Sequence, residues 1–192
     1  MINRESWLNK AIKELSKRYF STPQLTLPSK IMVSCGIPGG KQNAIGQCWD
    51  PIVTKDGTTH IFICPSLVDP VEILSTLLHE LVHAAIGIHN GHNHIFKRTV
   101  QRLGLEGKPT ATYAAKNSTL YVELEEISTT LGQYPHSQML KRKGLKKVNL
   151  DKNVKLFSPI NVEYTITIKE SVLRTGTPVD PWGHNMVKKQ DE

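Results

Sequence analysis

The segment HELVHAAIGIHNGHNHIF, residues 79–96, contains five histidines and a glutamate within eighteen positions. An N-cap aspartate and a first-turn proline, Asp69 and Pro70, precede it and are typical of a helix start. Apolar residues then recur around much of the helix surface until about Gly87, where a glycine favours a helix end. We therefore predict a helix that lies buried at the centre of the fold and carries the first part of this segment.

Two of the histidines, His79 and His83, are four residues apart, so on a helix their side chains leave the same face and can bind one ion. With Glu80 between them they form HExxH, in which two imidazoles bind zinc and the glutamate is a general base toward water. Zinc lowers the pKa of water toward about 7 and polarises a carbonyl, so the motif predicts hydrolysis of a peptide bond. The alternative is that both histidines are surface or hydrogen-bonded core residues. The apolar helix and the further histidines favour the metal, because isolated buried polar groups are costly.

A third ligand is needed, because a catalytic zinc usually takes three protein ligands and keeps one position open. His89 lies six residues after His83, the spacing of the metzincin pattern HExxHxxGxxH, but Ile86 stands where that pattern requires glycine. His92 follows a predicted turn that can bring the chain back beneath the metal, and His94 begins the next predicted helix. Spacing alone leaves His89 and His92 as candidates.

Three segments around the motif are HELVHAAIG (79–87), GHNHIFKR (91–98) and LGLEGKPTAT (103–112). Together they resemble the SprT-like/Spartan family of zinc metalloproteases. Members carry HExxH on one helix, then a short loop and a third histidine in a GHGxxF-type element that opens the next helix. That element is GHNHIF here, with Asn93 where glycine is usual. The resemblance to bacterial and phage SprT-like proteins covers roughly residues 30–136.

This resemblance implies one catalytic Zn²⁺ bound by His79, His83 and His92, with Glu80 as the general base. It also implies a zincin-like domain and a metallopeptidase that works on DNA-associated proteins or near the transcription machinery. A different class remains open, a nucleic-acid or transcription-associated binding module whose metal site is structural or inactive. A third is a hydrolase of a non-peptide bond, because HExxH determines how water is activated and not which bond it attacks.

Periodicity predicts the remaining elements. Apolar residues at helical spacing predict helices over about 3–20, 94–103 and 118–131. Short segments rich in β-formers predict strands at KIMVSC (30–35), AIGQCW (44–49) and HIFICP (60–65). We expect an α+β fold in which a small antiparallel sheet packs on the central HExxH helix, with further helices and a small C-terminal β unit.

The C-terminal segment LFSPINVEYTITIKESVLRTGTPVDPWGHN, residues 156–185, has the outline of the zinc ribbon in which proteins of the SprT-like family often end. The positions expected to be cysteine are Ser158, Asn161, Asp180 and Trp182. A tetrahedral thiolate site cannot form from these residues. We therefore predict a metal-free β unit held by packing alone.

The chain of 192 residues suits one main domain with a small appendage. We divide it into a SprT-like metallopeptidase domain (1–140), a basic linker (141–155) and a degenerate zinc-ribbon-like unit (156–192). The net charge is +7, and the linker KRKGLKKVNLDKNVK holds seven basic residues and one acid. Such a run is a candidate contact with nucleic acid, and a solvated linker is an equal alternative.

The absence of a secretory signal and of a long apolar run indicates a cytoplasmic protein without a membrane partner, and the HExxH motif indicates a protein or peptide substrate. The first twenty residues are amphipathic and lack the apolar centre of a secretory signal, and no later apolar run approaches about 18 residues. Three cysteines, Cys35, Cys48 and Cys64, stand at wide spacings without a CxxC pair. They therefore predict neither a disulfide framework nor a thiolate zinc site.

Overall fold

The computed structural model describes residues 3–39, 44–139 and 151–188. The chain forms two compact units, residues 1–141 and 142–192. Both contain helices and small sheets, so the predicted α+β class is confirmed.

Helices dominate the first unit. Its described residues form α1 (Arg4–Tyr19), α2 (Pro70–Ile86), α3 (His94–Arg102) and α4 (Thr119–Leu131). Each begins after a residue whose side chain accepts a backbone N–H of the first turn, and these caps are Asn3, Asp69, Asn93 and Ser118. Because cap and apolar spacing agree at each start, the four helices lie where the sequence predicts them.

The strands of the first unit form one three-stranded sheet and two hairpins. They are β1 (Ser21–Thr22), β2 (Leu25–Thr26), β3 (Ile31–Cys35), β4 (Gly46–Trp49), β5 (Thr59–Ile63), β6 (Glu106–Lys108) and β7 (Ala111–Tyr113). The sheet has the order β3-β5-β4, and the hairpins are β1-β2 and β6-β7. Of the strands described, β4 pairs with β5 alone, so its other side is an edge of the sheet.

The prediction of a purely antiparallel sheet is wrong for β3, which pairs parallel to β5 with Ile31 opposite Thr59 and Cys35 opposite Ile63. In contrast, β4 is antiparallel to β5. The reason is that β5 inserts between two strands of opposite direction and must run parallel to one of them. Side-chain alternation along a strand is the same for both directions, so the sequence pattern does not distinguish them.

Helix α2 forms the centre of the first unit, as its all-round apolar pattern predicts. Every residue from Ile73 to His83 is buried, and Leu74, Leu77 and Leu81 are fully buried. The helix contacts α1, α3, α4 and strands β4, β5 and β7. Burying one leucine side chain stabilises a fold by roughly 1.5–3 kcal/mol, so this helix contributes strongly to the core.

The second unit is a small antiparallel sheet with a short helix. Its elements are β8 (Asn153–Phe157), β9 (Thr165–Lys169), α5 (Glu170–Leu173) and β10 (Val187–Lys188), in the strand order β10-β8-β9. Of the predicted basic linker, residues 153–155 belong to β8 and residues 141–150 lie outside the described residues.

A buried hydrogen-bonded pair occupies two of the expected cysteine positions in this unit. The Ser158 hydroxyl lies 2.7 Å from Asp180 Oδ2, and both side chains are almost fully buried. Asp180 Oδ1 accepts the backbone N–H groups of Trp182 at 3.0 Å and His184 at 2.8 Å. Burial acts to raise the pKa of Asp180, but these hydrogen bonds outweigh it and lower that pKa. We expected packing alone to hold the second unit, and this expectation is wrong. The hydrogen bond between Ser158 and Asp180 also links the two segments that carry these residues.

We predict that Ser158→Ala destabilises the second unit by about 1–3 kcal/mol, because a buried carboxylate oxygen loses its donor. Hydrogen exchange of the β8 and β9 amides in the full chain measures this loss as faster exchange. The matched control is Thr177→Ala, which changes an exposed residue of the same unit. Unchanged protection in Ser158→Ala would contradict the proposed role of the pair.

Candidate metal centre

The motif histidines project from the last two turns of α2 into a buried site. His79 and His83 are 8% and 7% exposed, and their ring centroids lie 5.0 Å apart. The helix ends at Ile86 and is followed by Gly87, which has a φ of 89° and donates its N–H to the His83 carbonyl. Because this φ favours glycine, Gly87 allows the chain to leave the helix axis directly after Ile86.

A short 3₁₀ turn, Ile88–Asn90, then leads to His92, which lies just before α3 and is exposed. Asn93, where the family resemblance would place glycine, is the N-cap of α3 and accepts two backbone N–H groups. This cap positions the first turn of α3, whose buried Phe96 stacks on the His83 ring at 4.2 Å. The His92 ring centroid lies 4.9 Å from that of Phe96, so His92 is placed beside the two helix histidines.

The three histidines present nitrogen atoms to one another at distances that suit a metal ion. His92 Nε2 lies 3.2 Å from His83 Nε2 and 3.3 Å from His79 Nε2. Ligands in a tetrahedral zinc site with Zn–N bonds of about 2.0–2.1 Å are roughly 3.3 Å apart. The group therefore could hold a metal ion, and among residues 3–39, 44–139 and 151–188 it includes no fourth side chain.

Burial keeps the two helix histidines in the neutral form. Desolvation, aided by the neighbouring histidines, lowers the pKa of His79 to about 3 and that of His83 to about 4. Neutral imidazoles have a lone pair for a cation, and protonated imidazoles do not. His79 and His83 can thus bind a metal at neutral pH without first releasing a proton.

Glu80 lies on the same helix and contacts the edge strand β4. Its side chain is 6% exposed, and burial raises its pKa to about 8, although the Cys48 backbone N–H donates to it and opposes that rise. Gly46 leaves room for the carboxyl, since a Cβ there would lie 2.5 Å from Glu80 Oε1 and 2.8 Å from Thr76 Cγ2. A glycine at this place in β4 is therefore required by the close approach of α2.

Two polar contacts attach the β6-β7 hairpin to α2. The Thr112 hydroxyl lies 2.8 Å from His79 Nδ1, and the Ala114 backbone N–H donates to Ser75 Oγ at 3.0 Å. Neither Thr112 nor Gly46 was predicted as part of the site. No local pattern marks them, because each contacts a residue more than thirty positions away.

The alternative third ligand lies apart from this group. His89 is exposed, and its Nε2 lies 3.1 Å from the Asn90 side chain. Its ring lies beneath Gly87, where a Cβ would meet it at 2.5 Å. His94 is the exposed first residue of α3. The described structure thus brings His92, and neither of the other two, together with His79 and His83.

Comparison of the chain with known proteins adds no relative. No protein-family model, no curated protein and no solved structure matches it. Among the described residues, no helix has the length and apolar character needed to cross a bilayer. The findings therefore define an α+β protein with a histidine group that could hold a metal ion. The function of the protein is inferred from the residues of that group.

We predict that the purified protein binds one Zn²⁺ and that His92→Gln abolishes stoichiometric binding at micromolar zinc. Removing one of three neutral ligands leaves a two-ligand site, which is too weak to retain the ion. Metal content after dialysis, with titration calorimetry, measures this. His89→Gln is the matched control and should bind like wild type, because its ring lies outside the group. The reverse pattern for these two variants would refute the assignment.

Gly46→Ala should lower the free energy of unfolding by about 1–3 kcal/mol, because the added methyl overlaps Glu80 and Thr76 in a packed contact. Denaturant unfolding of the full chain measures this change. The control is Gly39→Ala, whose Cβ would lie at an ordinary 3.7 Å from Gln47 Oε1. Equal stability of the two variants would show that β4 does not pack closely on Glu80.

Proposed function

We propose that this protein is a zinc-dependent metallopeptidase of SprT-like type. The observation that carries the proposal is the group of three Nε2 atoms from His79, His83 and His92, which no fourth His, Cys, Asp or Glu side chain joins among the described residues. A site with three protein ligands and one open position is typical of catalytic zinc, whereas structural zinc is closed by four. This supports the enzyme over a binding module with a structural metal.

When bound, zinc supplies a Lewis acid that acidifies water and polarises a carbonyl oxygen. The chain itself places a base beside the position of this water. Glu80 precedes His83 by three residues on α2, so it shares the side of the helix that carries the ligands. Its buried carboxyl lies beside the Cys48 N–H and acts as the base in its ionised form, which the positive charge of a bound cation would favour. In that form it takes the proton from the attacking water and later delivers it to the leaving amine.

The edge of β4 offers a place for an extended substrate. The Ile45 carbonyl accepts the Cys64 N–H, at 2.9 Å. In an antiparallel pair the hydrogen-bonded positions alternate, so the backbone groups of Gly46 and Cys48 are directed away from β5. Of these groups the Cys48 N–H donates to Glu80, while the Gly46 N–H and the carbonyls of Gly46 and Cys48 face the edge. A peptide that adds to this edge as a further strand passes Glu80, which supports a protein or peptide substrate in extended form.

The wider context of the proposal is a cytoplasmic enzyme that acts on DNA-associated proteins. Its support is the net charge of +7 and the basic run of residues 141–155, of which 141–150 lie outside the described residues. A protein that neutralises phosphates with Lys and Arg binds nucleic acid in a salt-dependent manner. The segment would then bring the peptidase to proteins that are bound to DNA.

Glu80→Gln should retain zinc and lose cleavage of a loosely folded protein by at least about 10²-fold, because the amide keeps the shape but cannot accept the proton. Zinc content and cleavage rate are measured together, with and without single-stranded DNA. Glu72→Gln, an exposed change on the first turn of the same helix, is the control and should cleave like wild type.

Two results would contradict the proposed peptidase activity. One is a Glu80→Gln variant that cleaves as fast as wild type. The other is a zinc-loaded wild-type protein that cleaves neither a loosely folded nor a DNA-bound protein, while it still binds DNA. The second result would favour the nucleic-acid-associated module instead.

A further inference from the structure

The β6-β7 hairpin lies along the stripe of α2 that ends at the metal centre. Ser75 and His79 are four residues apart and therefore share one helix face. Thr112 lies in β7, and Ala114 directly follows that strand. The Ala114 N–H donates to Ser75 Oγ at 3.0 Å, and Thr112 Oγ1 lies 2.8 Å from His79 Nδ1. The hairpin is thus attached to one face of the helix at two positions, and one of these attachments is a histidine of the metal group.

The contact with Thr112 gives His79 Nδ1 a partner in the tautomer that metal binding through Nε2 requires. A neutral imidazole carries one proton, and the nitrogen without it offers the lone pair. His79 Nε2 lies 3.3 Å from His92 Nε2, on the side where the three histidines meet. When Nδ1 carries the proton and donates it to the threonine hydroxyl, the Nε2 lone pair is directed into the group.

The two histidines of α2 differ in this respect. His79 Nδ1 has a hydroxyl partner, whereas His83 Nδ1 is buried and has no hydrogen-bond partner among the described residues. The His83 ring is instead positioned by stacking on Phe96, with an interplanar angle of 21°. Stacking holds the plane of a ring but does not select its tautomer. Within the helix pair, Thr112 is therefore the described side chain that can accept an Nδ1–H.

We propose that Thr112 is a positioning residue for the metal centre. Its hydroxyl accepts the Nδ1–H of His79, so that Nε2 of this ring is unprotonated and aimed at the metal position. This inference rests on the proposed metal site and adds to it a residue that binds no metal. Outer partners of this kind typically change metal affinity by about 10–100-fold when they are removed.

Three variants of the full chain test the inference by zinc affinity, measured in competition with a chromophoric chelator. Thr112→Val keeps the shape and removes the hydroxyl, and we expect zinc binding about 10–100-fold weaker than in wild type. Thr112→Ser restores a hydroxyl and should bind within about threefold of wild type, since the acceptor oxygen is retained. Thr110→Val, an exposed change next to the hairpin turn, should leave the affinity unchanged.

The outcomes separate this inference from the proposed function. A wild-type protein that binds no zinc overturns both. Wild type and Thr112→Val that bind zinc equally tightly overturn the role of Thr112 and leave the metal site in place. Wild-type zinc binding by Thr112→Val together with weak binding by Thr112→Ser would show that the methyl packing matters and the hydroxyl does not, which also overturns it.

A spectroscopic measurement distinguishes positioning from a purely structural role. In two-dimensional proton–nitrogen spectra of the zinc-free protein, wild-type His79 should show the tautomer protonated at Nδ1. Thr112→Val should show a mixture of tautomers while its other amide signals stay in place, because the fold is retained. An Nε2-protonated His79 in wild type would contradict the proposal even if a variant failed to fold.

Discussion

The burial of polar side chains on an otherwise apolar helix is the constraint on which the first unit depends. Helix α2 is buried at every position from Ile73 to His83, and this stretch includes two imidazoles and a carboxyl. A buried polar group without a partner costs on the order of 1–3 kcal/mol. Neighbouring segments bring polar partners to His79 and Glu80, whereas His83 is stacked by Phe96 and its Nδ1 has no hydrogen-bond partner among the described residues.

Three neighbouring segments bring polar or aromatic groups to α2. The β6-β7 hairpin brings the Thr112 hydroxyl to His79, and the edge strand β4 brings the Cys48 N–H to Glu80. The start of α3 brings Phe96 and, just before it, His92. Apolar packing and polar partners thus come from the same segments, so the arrangement that buries the helix also gathers the histidines. A metal ion could then bind all three rings at once.

The second unit meets a related constraint without thiolates. Its expected cysteine positions carry Ser158 and Asp180, and these side chains form a buried hydrogen bond of 2.7 Å. The other carboxylate oxygen of Asp180 accepts the backbone N–H groups of Trp182 and His184, so both oxygens have hydrogen-bond partners. The sequence made the loss of a thiolate site plain. It did not indicate that a polar pair would take the place of that site, since each residue alone is common on protein surfaces.

What the amino-acid sequence determined by itself is local. The caps and apolar spacing located the helices, and the four-residue step from His79 to His83 determined that both rings leave one face of α2, because helix geometry depends only on successive residues. Tertiary structure alone decided the direction of β3 and the contact of Thr112 with His79. It also placed His92 rather than His89 beside the helix pair, a choice that spacing left open and that the family resemblance implied. These depend on how distant segments close onto one another, and neither residue type nor spacing encodes which of several closures packs best.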